Sequence, residues 1–250
     1  QPKISWNLEG AANPYPNGRI TMLHYDEIEF TWVLAPPLGK GSAELIARRE
    51  KWDEMLWKNS SANTKTEGAS AVPKRVMLGN FQTALSDQDL TDDPKFWLKQ
   101  GKREAKVEVL RDIGDTGYAG TTANERLRFQ DGVKSAGLVD ATTHNTRRRR
   151  AGIYTFHPPK AKLGQGLNTT YNLISSDIVL SGGIESTVVV ETNNSDDKFW
   201  GSHHRPLWFS LKPDWRERLE EPGKMSEEDH NIYDQGADSG QPDKEEEVLT

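Results

Sequence analysis

Cysteine is absent from all 250 residues. That excludes disulfides, thiolate-held zinc and a cysteine nucleophile. Long apolar runs are absent too. None approaches the roughly 20 residues a helix needs to cross a bilayer, and mean hydropathy is −0.78. Gln1-Pro2-Lys3 begins neither with methionine nor with a charged-then-apolar leader, so the expectation is a fragment or processed chain. No H-E-x-x-H pair and no Gly-rich phosphate loop occurs. His203 and His204 are adjacent, and neighbours on a strand point to opposite faces, so they are not expected to share an ion.

What is present is unevenly charged. The net charge is −6. From Asp214 to Thr250 there are 13 acids against 4 bases, leaving 25 acids and 28 bases before them. A mildly basic body with an acidic tail favours contact with phosphate, the tail discouraging unselective binding. Arg147-Arg148-Arg149-Arg150 is the densest basic run. It reads as a contact to nucleic-acid phosphates, as a nuclear signal, or as a solvated loop.

Residues 1–18 are rich in Asn, Pro and Gly and read as loop. Strands are expected over 19–25 and 28–35, the second stopped by Pro36-Pro37. Ser42 is placed to cap a helix to about Lys58, with Leu45, Ile46, Trp52, Met55 and Leu56 on one side and charges opposite. A short strand follows at 74–78, then a helix over 94–112. Thr121 or Thr122 caps another helix, with Glu125 near capping-box distance and Leu127, Phe129, Val133 and Ala136 on its apolar side. Later strands are expected over 152–156, 170–175, 186–192 and 207–212. Residues 213–250 read as a disordered acidic tail, with one helical turn allowed after Trp215. Strands alternating with a few helices suit a two-sheet β-sandwich flanked by helices, an α+β class.

Two stretches carry the functional signal. Leu78-Gly79-Asn80-Phe81-Gln82 resembles the L-x-G-D-x-N turn of the endonuclease/exonuclease/phosphatase superfamily, and Ser202-His203-His204-Arg205-Pro206 resembles its S-D-H-x-P turn. Further segments are similar to exonuclease III-type AP endonucleases: 18–21 with 30–36, 39–41 with 48–54, 123–140, 152–156 and 173–177. The resemblance covers residues 18 to 212 and implies a DNase I-like domain over 19–212 whose N-terminal strands are missing, which would leave an exposed sheet edge.

The same resemblance places the functional groups. Asn80 stands where the family has the water-positioning Asp, and Gln82 where it has Asn. His203 stands in place of the Asp that orients the next histidine. His204 aligns with the catalytic histidine. Leu34 and Pro37 replace the Tyr and Asn of Y-x-P-N, and Asn168 and Thr170 replace the Arg and Asp of R-x-D-Y. Phosphodiester hydrolysis needs a base and magnesium held by carboxylates. An amide supplies neither charge nor basicity.

The resemblance thus implies a degenerate, non-catalytic domain that binds nucleic acid or a protein partner, with no cofactor. The alternative is an active magnesium-dependent DNA-repair hydrolase with replacement ligands, Asp87 or Asp89 being the nearest acids. The implied setting is intracellular, nuclear or mitochondrial.

Overall fold

The computed structural model describes residues 3–6, 19–25, 27–36, 43–62, 74–86, 89–91, 120–144, 154–157, 166–189 and 203–220. Their elements are β1 (Lys3–Trp6), β2 (Ile20–Tyr25), β3 (Ile28–Leu34), α1 (Ala43–Ala62) and β4 (Lys74–Asn80). Then come α2 (Ala123–Ser135), β5 (Leu138–Asp140), a 3-10 turn at Ala141–His144, β6 (Thr170–Ser175) and α3 (Ser176–Leu180). β7 (Ile184–Val189), β8 (Leu207–Leu211) and α4 (Trp215–Glu220) complete the order. The expected helix over 94–112 and the run Arg147-Arg148-Arg149-Arg150 lie outside the described residues.

Six strands form one mixed sheet in the order β1-β2-β3-β4-β6-β5. β3 and β4 are parallel, so the chain must cross over between them, and α1 lies in that connection. Successive residues of a strand face opposite sides, which divides the interior in two. Met77, Val33, Tyr171 and Leu173 pack on one side against Trp52, Leu56, Trp57, Phe129 and Val133 of the two long helices. Val76, Ile28 and Ile174 pack on the other, joined by Leu78, Phe30 and, from the second sheet, Ile184, Phe209 and Leu211. That second sheet is the antiparallel pair β7–β8. A sheet covered on both faces explains why the centre of β4, Val76-Met77-Leu78, is apolar without alternation.

Thr122 is the N-cap of α2, and with Glu125 it completes a capping box. This helix tolerates Gly132, whose cost in a helix interior is about 1 kcal/mol, because a Cβ there would lie 2.3 Å from the Trp57 ring. The missing side chain lets α1 and α2 approach.

The structure corrects several expectations. Lys3–Trp6 is a strand at the sheet edge, paired with β2, within the stretch read as loop. α1 continues to Ala62, and Arg49 lies on its buried side at 2% exposure while Ile46 is exposed. Leu127 of α2 faces solvent, since the sheet contacts only the stripe through Phe129 and Val133. Of the strand expected over 152–156, residues 152 and 153 lie outside the described residues, and Phe156 makes isolated bridges rather than a strand. Trp215, assigned to the tail, starts α4 and is buried in the core between the sheets.

Candidate functional site

β3 and β4 end, and β6 begins, at one place. Leu34 is the register partner of Asn80, and Asn80 of Thr170. One step back, Trp32 pairs with Leu78 and Leu78 with Asn172. Partners in register share a face, so these six side chains form two adjoining rows on the side that carries the second sheet. The apolar core between the sheets reaches Leu78. Beyond it the side chains turn polar at Asn80, Thr170 and the buried Asn172, while Trp32 and Leu34 are exposed.

The turn after β4 is fixed by backbone geometry. Gly79 has φ +139°, and a Cβ there would sit 2.0 Å from the Val33 carbonyl oxygen. Only glycine fits that close approach. Asn80 Oδ1 accepts from the Gln82 amide at 2.9 Å, closing an Asx turn. Gln82 takes φ 55°, a left-handed conformation uncommon outside glycine. Gly120 lies directly against it, because a Cβ there would be 2.1 Å from the Gln82 carbonyl oxygen. Glu125 Oε2 accepts from the amides of Gly120 (2.8 Å) and Thr122 (3.1 Å), so the capping box of α2 anchors the turn as well as the helix.

Arg49 braces the turn from behind. Its guanidinium donates to Pro36 O (2.8 Å), Phe81 O (2.7 Å), Thr83 Oγ1 (3.1 Å) and Asp53 Oδ1 (2.7 Å). It therefore ties the chain leaving β3 to the chain leaving β4. Burial pushes the Asp53 carboxyl above its ordinary value, and Arg49 pulls it partly back.

Thr155 links the turn to the histidines. Its Oγ1 accepts from the amides of Thr169 (3.1 Å) and Thr170 (3.2 Å), and its carbonyl accepts from Arg205 N at 2.8 Å. Phe156 bridges to Leu167 on one side and His204 on the other, with the Phe156 and His204 rings 4.7 Å apart. The turn at 80–82, the start of β6 and the His204 segment thus belong to one connected edge. Burial, with a smaller contribution from His203, lowers the His204 pKa below the ordinary 6.5, so its imidazole is neutral at pH 7.

These residues do not fit magnesium. Asn80, Gln82 and Thr170 contribute amides and a hydroxyl, and magnesium sites use carboxylates. The replacement acid Asp89 is buried at 1% exposure. Its Oδ1 accepts from Asn168 Nδ2 (3.1 Å), and its Oδ2 from Ser86 N and Oγ (both 2.9 Å). It fastens the start of β6 to the loop after β4. The other nearest acid, Asp87, lies outside the described residues. Asp140 caps Thr142, and Asp177 pairs with Lys74. Among the described residues, no group of three or more His, Asp or Glu converges on a common point.

Of the positions singled out in the sequence, Asn80, Gln82, Thr170, His203 and His204 fall on this edge. Reading the sequence missed Arg49, Thr155 and Asn172. A charge beside Trp52 on a helix reads as solvated, and Asn172 occupies an ordinary strand position.

No protein-family model matches the chain. In sequence it is similar to a DNA-(apurinic or apyrimidinic site) endonuclease of Arabidopsis thaliana, 24% identical over 214 residues, 84% of this chain and 55% of that protein. The chain thus spans about half the length of the curated relative it matches. In structure it is similar to the 3'-5' exonuclease NExo of Neisseria meningitidis, with TM-score 0.55 and 17% identity over 84% of this chain and 70% of that one. An AP endonuclease of Archaeoglobus fulgidus superposes with TM-score 0.58 at 16% identity, covering 84% and 71%. The AP endonuclease LMAP of Leishmania major gives 0.58 at 17%, covering 83% and 60%. Ordered motifs, a mixed sheet that gathers them at one edge and these neighbours agree on the fold, which is that of the exonuclease III-like AP endonucleases and exonucleases.

Proposed function

We propose that this domain is a pseudoenzyme: it retains the nuclease scaffold as a nucleic-acid-binding surface and does not hydrolyse phosphodiesters. One observation carries the reading. Asn80 and Thr170, adjacent in register where the resemblance puts two acids, are neutral, and the nearby Asp89 has both oxygens engaged. Loss of a general base alone costs about 10²–10⁴-fold. Here the base at 80, the acid at 170 and the orienting acid at 203 are replaced together.

The relatives support nucleic acid as the ligand class. One is named an endonuclease of apurinic or apyrimidinic DNA, and a NExo variant is described bound to a product DNA hairpin. The mildly basic body and Arg147-Arg148-Arg149-Arg150 agree with it. The setting that fits such a domain is DNA repair or another nuclear or mitochondrial process.

The retained His204 favours a second reading, a magnesium-dependent phosphodiesterase whose ligands come from elsewhere in the chain. One experiment separates the two. Abasic-site duplex DNA is incubated with the protein and millimolar magnesium, and incision and thermal melting are followed. The proposal expects bound, intact DNA and no magnesium-dependent rise in Tm. A real site filled to 100 times its Kd would add about 2.7 kcal/mol. Robust incision that disappears in His204→Ala overturns the proposal.

A further inference from the structure

Building on the nucleic-acid reading, we propose that the patch at β3, β4 and β6 receives an unpaired nucleobase, with Trp32 stacking on its face and Asn172, Asn80 and Thr170 reading its edge. Trp32 is 42% exposed and Leu34 53%. The indole is nonetheless held in place, because Phe30 stacks on it at 6.1 Å and 25° and is itself packed against the core between the sheets. The register sets Asn172 and Thr170 two strands away on the same face, with Leu78 and Asn80 between.

The second observation is the state of those polar groups. Asn172 is 3% exposed, and its Nδ2 has no hydrogen-bond partner. Thr170 Oγ1 is buried in the same condition. Buried polar groups are nearly always satisfied, and an exception needs an explanation. A ligand that brings acceptors to this face would supply it.

The chemistry of the six side chains selects the ligand. None is charged, so neither a metal ion nor a bare phosphate is favoured here. A planar group with acceptors on its rim matches an exposed indole beside amide donors. Nucleobases have that form: any base offers a π-face for stacking, and side-chain amides pair with base edges. The base must be unpaired, because in a duplex its faces are covered by neighbours.

The test uses the full chain and two labelled single strands of equal length, oligothymidylate and a strand of tetrahydrofuran residues that lacks bases. Fluorescence anisotropy should show the base-bearing strand binding about 5–100-fold tighter, the range set by stacking on one aromatic side chain. Trp32→Ala should erase the difference, and Trp32→Phe should keep most of it. Asn172→Leu should weaken binding of the base-bearing strand alone. Trp208→Ala, on the outward face of β8, should change nothing. Circular dichroism melts establish that each variant is folded. Equal affinity for both strands, or a difference that survives Trp32→Ala, overturns the base pocket and leaves nucleic-acid binding intact. Failure to bind any strand, abasic duplex included, removes the reading on which the pocket rests.

Discussion

Asn172 shows how much one side chain can carry. A buried donor without a partner costs about 1–3 kcal/mol. Replacing it with leucine, of similar size and beside Leu78, should therefore raise stability by about 1 kcal/mol in urea denaturation, whatever it does to binding. Unchanged or lowered stability would show that the amide is satisfied in solution. His204 gives a residue-scale prediction in pH. Its pKa in the folded chain is depressed by burial, so below the ordinary value of 6.5 the unfolded chain takes up the proton more readily. The stability that neutral His204 preserves is present above that value. It falls as pH drops from 6.5 toward the lower folded-state pKa. His204→Gln should lack this component, so the Tm difference between variant and parent should shift in the variant's favour between pH 7 and pH 5. Parallel Tm profiles would contradict it.

At the scale of elements, the turn after β4 depends on helices distant from it in sequence. Arg49 reaches from α1 to Phe81 and Thr83, and Glu125 reaches from α2 to Gly120 beside Gln82. Removing Arg49 strands the half-buried Asp53 and the carbonyls of Pro36 and Phe81. Arg49→Met should cost about 3–5 kcal/mol, the scale for breaking a buried pair. Arg49→Lys should recover little, because a point charge cannot reproduce the fork of donors. Chemical denaturation of both variants checks this. The capping box is a smaller lever: Thr122→Ala should cost about 1 kcal/mol.

For the molecule as a whole, the test is where the folded unit stops. Trp215 is buried with Ile28, Val76 and Ile174 between the sheets, and Leu219 packs beside it. A chain ending after residue 214 should melt well below one ending after residue 220, by the ~3–5 kcal/mol typical of losing a buried tryptophan. Equal melting temperatures would return the boundary to 212. The two apolar layers explain why this matters. Long helices cover one face of the large sheet; on the other, Trp215 of α4 joins Ala141 of the 3-10 turn, Ile178 and Val179 of α3 and the side chains of β7 and β8 in closing the core.

Local chemistry was legible from the residues alone. Thr122 and Glu125 announce a capping box because both groups act within one turn of chain. The apolar run at 75–78 announces a buried strand, and Pro36 ends its neighbour because proline lacks an N–H. The substituted turns at 80–82 and 203–204 could be read because a motif is a property of sequence. Tertiary structure decided which charges are buried and which apolar residues are exposed. Arg49 is inside because the two turns place carbonyls around it. Leu127 and Trp32 are outside because the packed stripe and the second sheet stop short of them. Asn172 and Thr170 lie beside Asn80 only through strand pairing, and pairing between distant segments is set by the burial of whole faces, which no local run of residues encodes.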